Sequence, residues 1–165
     1  MHYIPRFLTD VLAGRLRMSP VVALLGPRQC GKSTLAKHLL PSTNAVYLDL
    51  ERPSDSRKLS DPELYLKTHD TTALVCIDEI QRAPDLFPVL RSIVDDRESN
   101  GQFLILGSAS RDLIRQSSES LAGRITFLEL TPFLWDEVGS ELNGSLTHYW
   151  LRGGYPRSLK SPDEQ

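Results

Sequence analysis

Hydrophobic positions along this chain follow two patterns. Near the amino end, Phe7, Leu8, Val11, Leu12 and Leu16 recur at helical spacing after Pro5, which predicts a short amphipathic helix. Beyond it the apolar residues gather into five unbroken runs, at 21–25, 45–50, 73–77, 103–106 and 125–130. A strand with one face in water alternates, so an unbroken run predicts a strand buried on both faces, as in a parallel sheet. The segments between runs are long enough for crossover helices. The clearest is 85–99, with Leu86, Leu90, Ile93 and Val94 on one face. Asp85 is its expected N-cap, and Pro88 falls in the first turn, where a missing N–H has no helical partner to lose. Strands alternating with helices predict an α/β doubly wound fold, in which ligands sit beyond the carboxyl ends of the strands. The last residues of each run are therefore where chemistry is expected.

Directly after the first run stands Gly26-Pro27-Arg28-Gln29-Cys30-Gly31-Lys32-Ser33, followed by helix-forming residues from Thr34 to Leu40 and a stop at Pro41. This is a complete G-x-x-x-x-G-K-S between a strand and a helix, the context in which the pattern means a phosphate-binding Walker A loop. Consecutive backbone N–H groups wrap phosphate, glycines allow its close approach, and the helix start adds a positive dipole. The loop residues Gly26, Pro27, Arg28, Gln29, Cys30 and Gly31, with Lys32, Ser33 and Thr34, are the expected nucleotide-binding set. Lys32 is expected to neutralise the β- and γ-phosphates, and the Ser33 hydroxyl to ligate Mg²⁺.

The third run ends Ile77-Asp78-Glu79, delivering two carboxylates at the same edge. It reads as Walker B, with Asp78 in the Mg²⁺ shell and Glu79 orienting the attacking water. An Asp-Glu doublet suits an ATPase that activates water, and no N-K-x-D guanine-reading motif occurs, so ATP is expected over GTP. The fourth run ends Gly107-Ser108-Ala109-Ser110. Ser108 reads either as a sensor of the γ-phosphate and lytic water or as a helix cap, and Ser110 as the cap of a helix through Leu113 and Ile114. Before the fifth run, Gly123-Arg124 presents either an ordinary surface arginine or an arginine finger that reaches a neighbouring subunit's γ-phosphate. Arg28, Arg82 and Arg111 are lesser candidates for that role.

Composition narrows the classes without changing this picture. The 165 residues suit one domain, 40% are hydrophobic, and 19 Lys and Arg against 21 Asp and Glu leave a net charge of −2. No global positive field recruits nucleic acid. No run approaches the roughly 20 apolar residues of a membrane span, and the amino terminus lacks the apolar stretch of a signal peptide. Cys30 and Cys76 are isolated, and His2, His38, His69 and His148 are scattered, so neither a disulfide framework nor a zinc site is expected and a cytoplasmic location fits. Cys76 is expected within the sheet. Cys30, inside the loop, is placed where oxidation would obstruct nucleotide. Trp135 and Trp150 are expected to pack a terminal helical element.

With these motifs in place, the chain resembles the prokaryotic AAA-type ATP-binding proteins that carry an uncharacterised C-terminal domain after the ATPase core. The likeness rests on Tyr3-Ile4-Pro5-Arg6, Gly26-Pro27-Arg28-Gln29, Leu48-Asp49, Asp78-Glu79-Ile80-Gln81, Gly107-Ser108, Ser120-Leu121-Ala122-Gly123-Arg124 and Gly153-Gly154-Tyr155-Pro156, in that order. The resemblance implies a five-stranded, mainly parallel P-loop NTPase sheet of the RecA and AAA+ type, flanked by helices on both faces. It further implies that the first strand lies beside the fourth and the Walker B strand next after it, so that Ser108 sits between the Walker motifs. Residues 1–131 are then the ATPase core and 132–165 the start of a truncated helical lid, with Arg157 as the nearest candidate for a lid arginine. Cys30 stands where that family suggests a small aliphatic residue, and Ala109 where it suggests a small hydroxyl residue. The expected activity is Mg-dependent ATP hydrolysis with ATP and ADP as ligands, in a homo-oligomer if Arg124 is a finger. A nucleotide-dependent switch or scaffold with negligible turnover is the alternative, and a small-molecule phosphotransferase is disfavoured because no acceptor pocket or basic lid is evident. The client, whether DNA, a partner protein or a toxin-like system, is not written in the core.

Overall fold

The computed structural model describes residues 3–40, 44–159 and 161. The expected helix stop at Pro41, the expectation for His2 and the very end of the expected lid lie outside these. Five strands, β1 Val21–Leu25, β2 Ala45–Asp49, β3 Leu74–Asp78, β4 Phe103–Gly107 and β5 Ile125–Glu129, form one sheet in the order β2-β3-β4-β1-β5. Every pairing is parallel: Leu25 lies opposite both Gly107 and Glu129, and Asp49 opposite Asp78. The first strand is thus beside the fourth and the third follows, and all five carboxyl ends share one edge.

The unbroken apolar runs do what two-sided burial requires. Every residue of β1, β3 and β4 is buried, and successive side chains alternate between two cores. One core joins Ala23, Ile77 and Ile105 to the helices α4 Pro62–Lys67 and α5 Leu86–Arg97 through Leu66, Leu90 and Ile93. The other joins Val22, Leu24 and Leu104 to α1 Leu8–Met18 and α2 Lys32–Leu39 through Leu12, Leu16 and Leu35. Each such buried Val, Leu or Ile side chain contributes about 1.5–3 kcal/mol over its exposed state.

Three expectations need correction. The second and fifth runs are not buried on both faces: β2 and β5 are the two edge strands of the sheet, most residues of each stay partly exposed, and Phe127 is 37% exposed. Asp85 stands at the N-cap of α5, but its backbone is already helical and its side chain caps nothing. The expected packing of both tryptophans on a terminal helical element holds for Trp135, edge-on to Tyr149 at 5.7 Å, and fails for Trp150, which is 80% exposed.

After β5 the chain runs through three short helices, α7 Trp135–Val138, α8 Leu146–Arg152 and α9 Pro156–Leu159. They are tied back through Phe133, whose N–H donates to the Gly154 carbonyl at 2.7 Å and whose carbonyl accepts from the Tyr149 hydroxyl at 2.8 Å. A Cβ on Gly154 would lie 2.3 Å from the Phe133 carbonyl oxygen, so only glycine permits this approach. Ile4, Phe133, Val138 and Leu159 close a third small core that joins the two ends of the chain.

Candidate functional site

The loop after β1 turns sharply into α2. Gln29 and Gly31 take left-handed backbone conformations, with φ of 64° and 106°. Gly31 is the N-cap of α2 and supplies no side-chain cap, so the first amides of that helix are left to an acceptor from outside it. The Lys32 ammonium folds over the loop and donates to the carbonyls of Gly26 at 3.0 Å and Pro27 at 2.8 Å. A cleft of about 1060 Å³ is lined by Arg28, Gln29, Gly31, Lys32, Ser33 and Thr34 together with Glu79. Arg6, Phe133, Pro156 and Arg157 line it as well.

Side-chain alternation explains where the two carboxylates go. Cys76 points into the core under α2 and Ile77 into the other, so Asp78 returns to the α2 side, towards the residues that open that helix. There it accepts a short hydrogen bond from the Tyr47 hydroxyl, and the nearby Ser33 hydroxyl pulls against the rise in that phenol's pKa. Tyr47 lies opposite Cys76, one strand over and two residues back from Asp78, a diagonal within reach of a long side chain. Burial first, and the bond to Asp78 second, push the Tyr47 phenol up from its ordinary range, so it stays a neutral donor. Of the two groups expected to ligate metal, the Asp78 carboxylate is bound to this phenol and the Ser33 hydroxyl lies beside it. That hydroxyl and carboxylate, both hard oxygen donors, suit Mg²⁺, which keeps a small protein ligand set and takes its remaining oxygens from phosphate and water.

Glu79 leaves the strand in a left-handed conformation, φ 59° and ψ 41°, held by its own N–H to the Asp78 carboxylate at 2.9 Å. For a non-glycine residue this backbone is costly and is retained where the surroundings over-determine it. Gln81, on the single 3-10 turn that follows, donates a short hydrogen bond from its amide to the Glu79 carboxylate. Gly107 makes room for this: a Cβ there would fall 2.9 Å from the Gln81 side-chain oxygen and 2.8 Å from Leu113. Ser108 follows directly at the end of β4, between the strands carrying the two motifs. Ser110 caps α6 Arg111–Ser120, accepting from the Leu113 N–H at 3.2 Å, as expected.

Arg124 is not brought to this cleft. Its carbonyl accepts from Val21 at the amino edge of the sheet, a full strand from the loop at roughly 3.3 Å per residue. Its guanidinium engages Asp95 at 2.5 Å and 3.1 Å and the Ala122 carbonyl at 2.8 Å. Arg28 faces Glu51 at 3.7 Å at the mouth of the cleft, an exposed pair of small energetic weight. Cys30 turns its thiol inward, and burial pushes that thiol up against the opposing pull of Lys32, so it is a packing group and not a reactive one. Cys76 is buried within β3, as expected.

The profile of the family described as AAA domain matches residues 18–139. This chain belongs to the AAA-domain family. Two uncharacterized proteins, from Mycobacterium bovis and Mycobacterium tuberculosis, are each 48% identical to it over 144 residues. That match takes in 87% of this chain, which spans 32% of the length of either relative. Among solved structures, a signal transduction ATPase with numerous domains from Pyrococcus horikoshii superposes with a TM-score of 0.59 at 17% identity, over 99% of this chain and 30% of that one. A DNA replication initiation factor superposes at 0.55 and 12%, over 93% and 56%. RIF2 of Saccharomyces cerevisiae does so at 0.54 and 14%, over 96% and 62%. At such identities the likeness speaks for the fold, an AAA-type P-loop core with a five-stranded parallel sheet.

Three residues that bear on the cleft escaped the sequence reading: Arg6, Tyr47 and Gln81. Gln81 and Arg6 lie inside stretches on which the family resemblance rests, but no spacing rule says what they touch. Tyr47 was hidden as one apolar-looking member of a strand run. Its signal is register, visible only once β2 is known to lie beside β3.

Proposed function

We propose that this AAA-domain chain binds Mg-ATP in the cleft beside the loop and hydrolyses it to ADP and phosphate. The observation that carries the reading is the convergence, at one sheet edge, of the Lys32 ammonium, the uncapped start of α2 with the Ser33 hydroxyl, the Asp78 carboxylate held by the Tyr47 phenol, and the Glu79 carboxylate. The loop amides and Lys32 hold the phosphates; the ammonium exchanges its bonds to the Gly26 and Pro27 carbonyls for stronger ones to anionic oxygens. Ser33 and Asp78 would hold Mg²⁺, whose contribution when bound is to neutralise charge on the β- and γ-phosphate oxygens. Glu79 orients the attacking water and accepts its proton as the β–γ bridge oxygen leaves with ADP. Ser108 lies at the strand end between the two and senses the γ-phosphate through its hydroxyl. Arg124, at the opposite edge, completes the site of a second copy after releasing Asp95. The segment from residue 132 onward acts as the start of a lid over the cleft, with Arg157 towards the nucleotide.

The reading is tested by calorimetric titration with ATP and, separately, GTP in the presence of Mg²⁺. Wild type is expected to prefer ATP, and a folded Lys32→Ala variant to lose about 10- to 100-fold in affinity, the weight of a charge-assisted pair removed from phosphate. Folded wild type that binds neither nucleotide would sink it. A second reading, a nucleotide-dependent switch with negligible turnover, draws on the fact that both carboxylates are already engaged, Asp78 by Tyr47 and Glu79 by Gln81. Turnover per molecule that rises with protein concentration, and collapses in Arg124→Ala, separates hydrolysis in an oligomer from the switch, for which both proteins would show equal and negligible rates.

A further inference from the structure

One charged pair takes no part in that chemistry, and it is the most deeply buried among the described residues. Arg6 and Glu137 face each other at 3.1 Å with side chains 4% and 3% exposed. A buried ion pair survives only when its remaining donors and acceptors are also satisfied. Here they are, and the partners come from four separate segments. The Arg6 guanidinium donates to Glu137 through Nε, to the Cys30 carbonyl through Nη1 at 3.0 Å and to the Thr131 carbonyl through Nη2 at 2.7 Å, and it lies 4.4 Å over the Phe133 ring. The Glu137 carboxylate also accepts from the N–H groups of Phe7 and Leu134, both at 2.9 Å. One side chain therefore ties the segment before α1 to the phosphate loop, to the exit of β5 and to α7.

The bond to Cys30 matters most. Cys30 and Gly31 share a trans peptide, whose C=O and N–H point in opposite directions. Holding the Cys30 carbonyl against Arg6 turns the Gly31 N–H the other way and removes the alternative in which that amide flips. Gly31 has a left-handed backbone and, lacking a Cβ, little of its own to prevent such a flip. A Cβ there would stand 3.5 Å from the Arg6 Nη1, so the guanidinium packs directly against the turn. Resting on the reading that this loop takes a nucleotide's phosphates, we propose that Arg6 is a positioning residue that presets the Cys30–Gly31 peptide for phosphate, and that Glu137 couples this setting to the α7 segment. Arg6 touches no reacting atom in this role. Its planar fork reaches three divergent acceptors at once, which a lysine cannot do.

The test titrates ATP and inorganic tripolyphosphate, which has the phosphate chain and no base, into wild type, Arg6→Lys and Glu137→Gln, with melting temperature and amide hydrogen exchange at Gly31 recorded for each. Arg6→Lys is expected to weaken both ligands in parallel by about tenfold, the scale of one hydrogen bond from a charged group, and to speed exchange at Gly31. Glu137→Gln keeps Arg6 and is expected to weaken both by a smaller factor, about threefold, so the proposal stands or falls on it if Arg6→Lys does not fold. Variants that melt lower but bind both ligands within twofold of wild type, with unchanged exchange at Gly31, would reduce the pair to a structural tie and overturn the proposal while leaving ATP binding intact. Wild type that binds neither ligand overturns the proposed function itself, and this inference with it.

Discussion

Glu79→Gln is expected to lower ATP turnover by about 10² to 10⁴, the usual contribution of a positioned general base, while leaving ATP affinity within a few-fold of wild type. The substitution is nearly isosteric and keeps an oxygen able to accept from the Gln81 amide, so the left-handed turn at Glu79 and the placement of Gln81 over Gly107 are preserved. What it removes is basicity. Phosphate release under saturating Mg-ATP, paired with a binding titration of the same preparation, separates the two effects. Unchanged turnover in Glu79→Gln would assign the proton acceptor elsewhere. A parallel loss of affinity would mean that the carboxylate acts through the electrostatics of the bound state instead.

Gly26→Ala carries the largest expected cost to the fold. A Cβ at Gly26 would lie 2.2 Å from the Leu130 carbonyl oxygen, about 1 Å inside the closest ordinary carbon–oxygen approach. Neither side yields freely. Leu130 is pinned by its N–H to the Leu25 carbonyl at 2.7 Å, and Gly26 continues directly from β1, which is buried along its whole length. Overpacking between two fixed backbones costs about 3 kcal/mol, or a melting temperature lower by about 6–12 °C in a chain of this size. The relief available is outward movement of the loop, which would also displace the carbonyl that Lys32 engages, so ATP affinity is expected to fall with stability. A variant that melts within about 2 °C of wild type would show that the strand ends slide more easily than their hydrogen bonds imply.

Much of the site was legible in the chain because it is local. The spacing from Gly26 to Ser33 concerns consecutive residues, and the turn it makes from β1 into α2 needs no distant partner to be read. The runs at 21–25, 73–77 and 103–106 announced central strands because two-sided burial leaves no polar alternation, and strands 21–25, 74–78 and 103–107 are buried at every residue. The run at 125–130 carried the same signal and became an edge strand, since apolarity says that a strand can be buried and not whether a neighbour exists to bury it. The Asp85 cap failed for a related reason: residue type permits capping, while the local backbone decides it.

Neighbouring residues alone made the G-x-x-x-x-G-K-S turn between strand and helix, the acidic strand end, the alternating α/β order and the Ser110 cap legible. Folding was needed to show that Tyr47 donates to Asp78, that Gln81 donates to Glu79, that Arg124 pairs with Asp95 away from its own cleft, and that Arg6 and Glu137, 131 residues apart, meet beside the loop. Such contacts join side chains across strand register and between chain ends. Their energy depends on burial and on how many donors find acceptors, quantities that exist only once the chain has folded.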